Sequence, residues 1–228
     1  EPVVALSDVD LVVRRREFVA IMGPSGSGKS TLLSIMGLLD RPTSGSYLLE
    51  GVDVTGLKDK ELARIRRDHF GFIFQHYNLF PELTAVENVE VPMIYAGVPA
   101  RDRRRRAKEL LEQVGLGHRL NHRPAEMSGG EQQRTAIARA LANAPTVLFA
   151  DEPTGNLPTE QGRQVMQALK ELNEQGMTVL VVTHDPGIAL WSQRLLTIRD
   201  GRIVSDEPTA QSQLLKTQAA LFAEDVEP

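Results

Sequence analysis

The sequence predicts an α/β protein: a mainly parallel sheet with helices over it, an antiparallel β part near the N-terminus, and an inserted helical subdomain. Three observations carry this reading. A glycine-rich loop, Gly23–Lys29, stands between an apolar run and a helical one. Strand-length apolar runs at Thr146–Ala150 and Thr178–Val182 flank one long helical stretch, the pattern of parallel strands joined by a right-handed crossover. Between residues 76 and 142 the hydrophobic period becomes helical. At 228 residues the chain is long enough to bury a core without disulfide or metal staples.

Taken in order, Val3–Leu11 and Glu17–Met22 are rich in Val and Ile and predict strands. Ser30–Leu39 predicts a helix, closed by Asp40, Pro42 and Gly45. Ser46–Val54 predicts a strand pair turning at Glu50–Gly51, Glu61–Arg67 a helix, and Gly71–Phe74 a buried strand. Glu82–Tyr95, Ala100–Val114 and Glu131–Ala142 are helical in period. A long helix is expected from about Gln161 to Glu174. Leu195–Ile198 and Arg202–Val204, joined by Asp200-Gly201, predict a hairpin. Leu214, Leu215, Leu221 and Phe222 are expected to pack as a short terminal helix. The expected division is a core from 1–75 and 143–205, a helical subdomain at 76–142, and a tail at 206–228.

Composition excludes several functions. There is no cysteine, which rules out disulfides and thiolate chemistry. The net charge is −4, and the tail from Asp206 alone accounts for it, so no basic field for nucleic acid exists. No apolar run approaches the roughly 18–20 residues needed to span a bilayer. No signal peptide is visible, and the first residue is Glu rather than Met, so a trimmed N-terminus is expected. The run Arg101–Arg106 fits a solvated helix start or a contact with lipid headgroups.

The chemistry sits in two segments. Gly23-Pro24-Ser25-Gly26-Ser27-Gly28-Lys29-Ser30, followed by Thr31, matches the phosphate-binding loop G-x-x-x-x-G-K-[ST] in its proper context of strand, loop and helix. Its glycines let backbone N–H groups cradle phosphate oxygens, and the helix N-terminus adds partial positive charge. Lys29 is placed to reach the β- and γ-phosphates and Ser30 to hold Mg²⁺. The apolar run Thr146–Ala150 ends in Asp151 and Glu152, two carboxylates at a strand's carboxyl end. Asp151 is assigned to the Mg²⁺ shell and Glu152 to activation of the attacking water.

Met127-Ser128-Gly129-Gly130-Glu131-Gln132-Gln133-Arg134, a short distance before those carboxylates, resembles the signature motif of ABC transporter ATPases. Gln75 matches that family's Q-loop glutamine, and His184, in Val182-Thr183-His184-Asp185, its switch histidine. Five motifs in the family's order cover residues from about 3 to 205. The resemblance implies ATP and Mg²⁺ as cofactors, with Gln75 joining the metal shell and His184 bonding the γ-phosphate. Ser128, Gly129, Gly130 and Glu131 would meet the ATP held by a second copy. It further implies a homodimer, a transmembrane permease partner, and peripheral attachment at the cytoplasmic face of the inner membrane. Ile21–Gly28, Phe70–Gln75, Asn88–Pro92, Tyr95–Gly97 and Ala150–Asn156 look like the macrolide-exporter and lipoprotein-releasing branch. Cell-division ATPases of that branch, which signal to wall hydrolases and transport nothing, remain an open alternative.

Four departures stand out. Met127 and Glu131 replace the usual Leu and Gln, with small effects expected. Residues 1–17 hold no aromatic, whereas the family stacks one on adenine, by spacing a few positions before Glu1. Arg16 stands where Gly is usual before Glu17; if the turn needs φ > 0, arginine there costs about 1–2 kcal/mol, which a large domain tolerates. Pro158 occupies the D-loop position of an Asp.

Overall fold

In a computed structural model, which describes residues 4–213 and Leu215, the chain alternates strands and helices. In order these are β1 (Phe18–Met22), α1 (Lys29–Met36), β2 (Leu48–Leu49), β3 (Val52–Asp53), α2 (Asp59–His69) and β4 (Phe70–Phe74). Helices α3 (Ala85–Tyr95), α4 (Ala100–Gln113) and α5 (Gly129–Ala140) follow. The rest comprises β5 (Val147–Asp151), α6 (Thr159–Glu174), β6 (Thr178–Val182), α7 (Pro186–Ala189), β7 (Arg194–Arg199) and β8 (Arg202–Pro208).

Six strands form one sheet in the order β4-β5-β6-β1-β7-β8. All neighbours are parallel except β7 and β8, the hairpin turning at Asp200-Gly201. Such a sheet is covered on both faces, so its strands read as unbroken apolar runs. Alternate residues serve opposite layers. Ile73, Leu148, Ala150, Val179 and Val181 join the core under α3–α6. Ile21, Phe70, Phe149, Leu180 and Val182 join the core with Leu32 and Leu33 of α1 and Leu62 of α2. β2 and β3 pair as a separate antiparallel hairpin, with Glu50 at φ 51° and Gly51 at φ 83°, as a tight primed turn requires.

The first expected strand is not one. Residues 4–11 form no regular element; exposure alternates only from Asp8 on, and Leu6, Val9 and Leu11 pack on the α1 side of the sheet. They enter no ladder; Asp8 breaks the run at φ 52°, and Ser7 N–H donates to Gly201 O (2.9 Å). Period-2 patterning reports one buried face and says nothing of a hydrogen-bonded neighbour. The single turn α7 was not expected, although Asp185 as its N-cap and Pro186 in its first position form a helix-start signal in the sequence. Of the expected terminal helix, Leu214, Leu221 and Phe222 lie outside the described residues, while Leu215 is buried beside Ala20, Met22, Ala189 and Leu195.

The arginine run serves the fold. Arg103 and Arg104 both pair with Glu90 of α3 at 3.0 Å, and Arg105 pairs within α4 with Asp102 and Glu109. Arg16 does adopt a left-handed conformation, φ 66°, with its N–H on Thr178 Oγ1 and its carbonyl on Asn173 Nδ2. Left-handed geometry costs an L-residue about 1–2 kcal/mol. Glycine loses some unfolded-state entropy in exchange. Arg16→Gly is therefore expected to raise the melting temperature by about 2–4 °C, corresponding to roughly 1 kcal/mol in a chain of this size. A lowered melting temperature in a thermal scan would show that the guanidinium contributes more than the strain removes.

Candidate active site

The sheet register sets the site. Phe74, Asp151, Val182 and Ile21 lie side by side across β4, β5, β6 and β1. The residues that follow them, Gln75, Glu152, Thr183-His184 and the loop from Gly23, therefore emerge at one carboxyl edge, where open α/β sheets place ligands.

The loop Gly23–Ser30 needs its glycines. A Cβ on Gly23 would lie 2.1 Å from Ile198 O, and Gly28 has φ 101° with Ala5 O 2.5 Å from where a Cβ would stand. Gly28 is also the N-cap of α1 and offers no side chain to cap it, so the first-turn N–H groups are open. Lys29, 9% exposed, folds back with Nζ 2.8 Å from both Gly23 O and Pro24 O. Ser27 Oγ is buried with no partner. Uncapped amides, an ammonium and an orphan hydroxyl are all donors converging on one small cradle, a set that fits phosphate oxygens.

Across from it, burial pushes the Asp151 carboxyl above the usual range, and the neighbouring Glu152 charge adds to this; Lys29 and the Ser30 hydroxyl oppose both. A bound cation would relieve the cost of ionising Asp151. Glu152 sits at φ 45°, with its N–H on Val182 O (2.9 Å). Its Oε1 lies 2.8 Å from His184 Nδ1, and its Oε2 accepts from Thr183 Oγ1 at 3.3 Å. A carboxylate only accepts, so Nδ1 carries the proton.

Gln75 is turned to the loop after Glu152. Its Nε2 donates to Asn156 Oδ1 (3.3 Å), and Asn156 Nδ2 donates back to Gln75 O (3.1 Å). The Ser128–Glu131 segment opens α5. Ser128 Oγ caps Glu131 N–H (3.3 Å), and the Glu131 carboxylate takes Ser128 N–H (2.8 Å) and Arg119 Nε (2.8 Å). The Gly130 amide is not free at this helix start: its N–H donates to Gln161 Oε1 (2.8 Å). Met127 is buried in the core, as a leucine would be. Among the described residues no hydrogen bond or ion pair joins Ser128–Glu131 to the Gly23–Ser30 loop.

Comparison with known proteins decides the family, for residues 6–155 match the ABC transporter family. The chain belongs to it. An ABC transporter ATP-binding protein of Thermotoga maritima, itself uncharacterized, is 58% identical over 199 residues, covering 87% of this chain and 85% of that one. The macrolide export ATP-binding/permease protein MacB 1/2 of Paracoccus denitrificans is 56% identical over 204 residues. That alignment covers 90% of this chain and 30% of that protein, so the chain spans about a third of the length of such relatives. These matches support the macrolide-exporter and lipoprotein-releasing branch. The dimeric ATP-binding cassette MJ0796, solved in a post-hydrolysis state with ADP and phosphate, aligns with a TM-score of 0.83 at 48% identity over 90% of both chains. The α/β fold and an ATP-hydrolysing activity follow from this membership.

Within this ABC ATPase, tertiary contacts add residues that the motifs alone do not mark. Thr183 is buried and supports Glu152; Asn156 holds Gln75; Gln161 covers Gly130. Thr183 had a signal, being next to His184. Gln161 had none, since its partner lies 31 positions away.

Proposed function

We propose that the chain is the ATPase subunit of an export or extraction transporter, in which two copies close on two ATP molecules and drive a transmembrane permease. The observation that carries this is the separation within one chain. The cradle, the carboxylates and His184 gather at one sheet edge, while the signature segment is held elsewhere, so a second copy is needed to complete the site. The dimeric MJ0796 cassette is consistent with it. No helix among the described residues is long and apolar enough to cross a membrane. Attachment is assigned to a permease, at the cytoplasmic face of the inner membrane, on the strength of the ATP-binding/permease relatives. Residues 1–75 and 143–205 would form the ATP-binding core, 76–142 the subdomain carrying the signature, and 206–228 a tail.

In this reading Gly23, Pro24, Ser25, Gly26, Ser27, Gly28, Lys29, Ser30 and Thr31 wrap the phosphates. Ser30, Asp151 and Gln75 are the donors for Mg²⁺, which neutralises phosphate charge when bound. Glu152 takes the proton of the attacking water. His184 bonds Glu152 through Nδ1 and leaves Nε2 for the γ-phosphate; donating to both at once requires the doubly protonated ring. Ser128, Gly129, Gly130 and Glu131 serve the partner's ATP, with Gln161 giving up Gly130 N–H as they engage.

The test is sedimentation of Glu152→Gln with and without ATP. Monomer alone and dimer with ATP is the expected pattern, by linkage. A monomer fraction indifferent to ATP sinks the sandwich.

Pro158 is the N-cap of α6 (φ −56°, ψ 149°) and gives it no side-chain cap. Aspartate adopts that backbone readily, caps the helix and restores a carboxylate to the D-loop. Pro158→Asp is expected to raise turnover about two- to tenfold, or about 0.4–1.4 kcal/mol in the barrier, with ATP affinity unchanged. Steady-state kinetics measure it; a slower enzyme would show that proline is required there.

A further inference from the structure

Gln133 lies on α5, within the Met127–Arg134 stretch that resembles the signature motif, with 0% of its surface exposed. Its Nε2 donates to Pro153 O at 2.6 Å and to Phe74 O at 3.3 Å. Phe74 immediately precedes Gln75, and Pro153 immediately follows Glu152. Phe74 and Asp151 are register partners on adjacent strands, so the two loops leave the sheet side by side. Both protons of one amide thus tie both loops to the signature helix. Arg139, further along α5, makes bonds of the same kind to Tyr77 O (2.8 Å) and Asn78 O.

The bonds that join the two loops directly all come from Asn156 and are exposed: it accepts from Gln75 Nε2 (3.3 Å), donates to Gln75 O (3.1 Å) and lies 3.2 Å from His76 Nδ1, whereas the Gln133 tie is buried. Meanwhile Gln133 Oε1 is buried with no partner. A half-satisfied buried amide is a poor device for stability, because the orphan oxygen loses its water and gains nothing. A thioether of similar length would remove that orphan but leave the buried Pro153 carbonyl without its donor, so what the amide supplies at this position is its two-pronged donor, and that donor has a geometric task.

We propose that Gln133 is a positioning residue for hydrolysis: it sets the backbone that carries Gln75 and Glu152 and makes that backbone follow the signature helix. This rests on the assignment of Gln75 and Glu152 to the hydrolytic site. The phosphate cradle lies two strands away from β5, across β6, and is not touched by Gln133. Loss of Gln133 should consequently alter turnover and spare nucleotide binding.

Full-length Gln133→Met, with Gln133→Asn as a milder variant that keeps the amide but withdraws it by one methylene, decides this. Turnover, KM for ATP, fluorescent-ATP affinity and melting temperature are measured alongside Glu152→Gln. Misplacing reacting groups by about 1 Å costs roughly a hundredfold, so kcat of Gln133→Met should fall about ten- to a hundredfold with KM and affinity within about threefold. Gln133→Asn should fall between it and the parent. An unchanged kcat in a folded Gln133→Met, or parallel losses of kcat and ATP affinity, overturns the proposal. If Gln133→Met does not fold, Gln133→Asn decides: a parental kcat overturns it, and reduced kcat at parental affinity supports it. An active Glu152→Gln would instead show that the underlying site assignment is wrong.

Discussion

Glu152→Gln is expected to leave ATP bound and to cut its hydrolysis by about a hundredfold to ten-thousandfold, the contribution of a positioned general base. The amide matches the carboxylate in shape. Its oxygen can still accept from His184 Nδ1, which lies 2.8 Å from Oε1, while the longer 3.3 Å bond from Thr183 is the one given up. The backbone that aims the side chain is unaffected, being fixed at φ 45° with the Glu152 N–H on Val182 O. What disappears is the basic oxygen. Binding should stay close to the parental level, because the phosphate cradle and Asp151 are left unchanged by the substitution. Phosphate release and equilibrium ATP binding measured on the same sample test this, and parental turnover would remove Glu152 from its role.

The parts legible in the sequence are those in which local chemistry and global fold impose the same demand. β1, β5 and β6 must be apolar on both faces, so FVAIM, VLFAD and TVLVV announce themselves as buried strands. The cradle was legible because only glycine fits at Gly23 and Gly28, leaving a pattern of residue type at fixed spacing. Arg16 was legible as a departure, since a turn that needs positive φ is where glycine would be expected.

Other features are set by partners distant in sequence and leave no local trace. Nothing in Ala5 to Leu11 says whether an extended run will find a ladder; Gly201, nearly two hundred residues on, takes the Ser7 amide instead. At the start of α5 the capping box of Ser128 and Glu131 leaves the amides of Gly129 and Gly130 without a partner inside the helix. Gln161, brought in by the packing of α6 on α5, supplies one for Gly130. Gln133 stands in the signature-like stretch, but its task is not visible until its two carbonyl partners, 59 and 20 positions away, are known. Sequence order reveals the strand ends; the loops' cross-ties become visible only in three dimensions.

Lys29→Ala should weaken ATP binding about ten- to a hundredfold, since a hydrogen bond to a charged group contributes about 1.5–3 kcal/mol. The ammonium is already nine-tenths buried and poised on Gly23 O and Pro24 O at 2.8 Å, so little side-chain freedom remains to be lost when phosphate arrives. Lys29 is also one of two groups that oppose the rise of the Asp151 pKa, so its removal leaves that carboxyl with less compensation for its burial. The fold should hold, because Pro24 is exposed and Gly23 partly so, and water can take over their carbonyls. Fluorescent-nucleotide titration, with a melting curve to confirm folding, gives the answer. A folded variant that binds and turns over ATP like the parent would place the phosphates somewhere other than this loop.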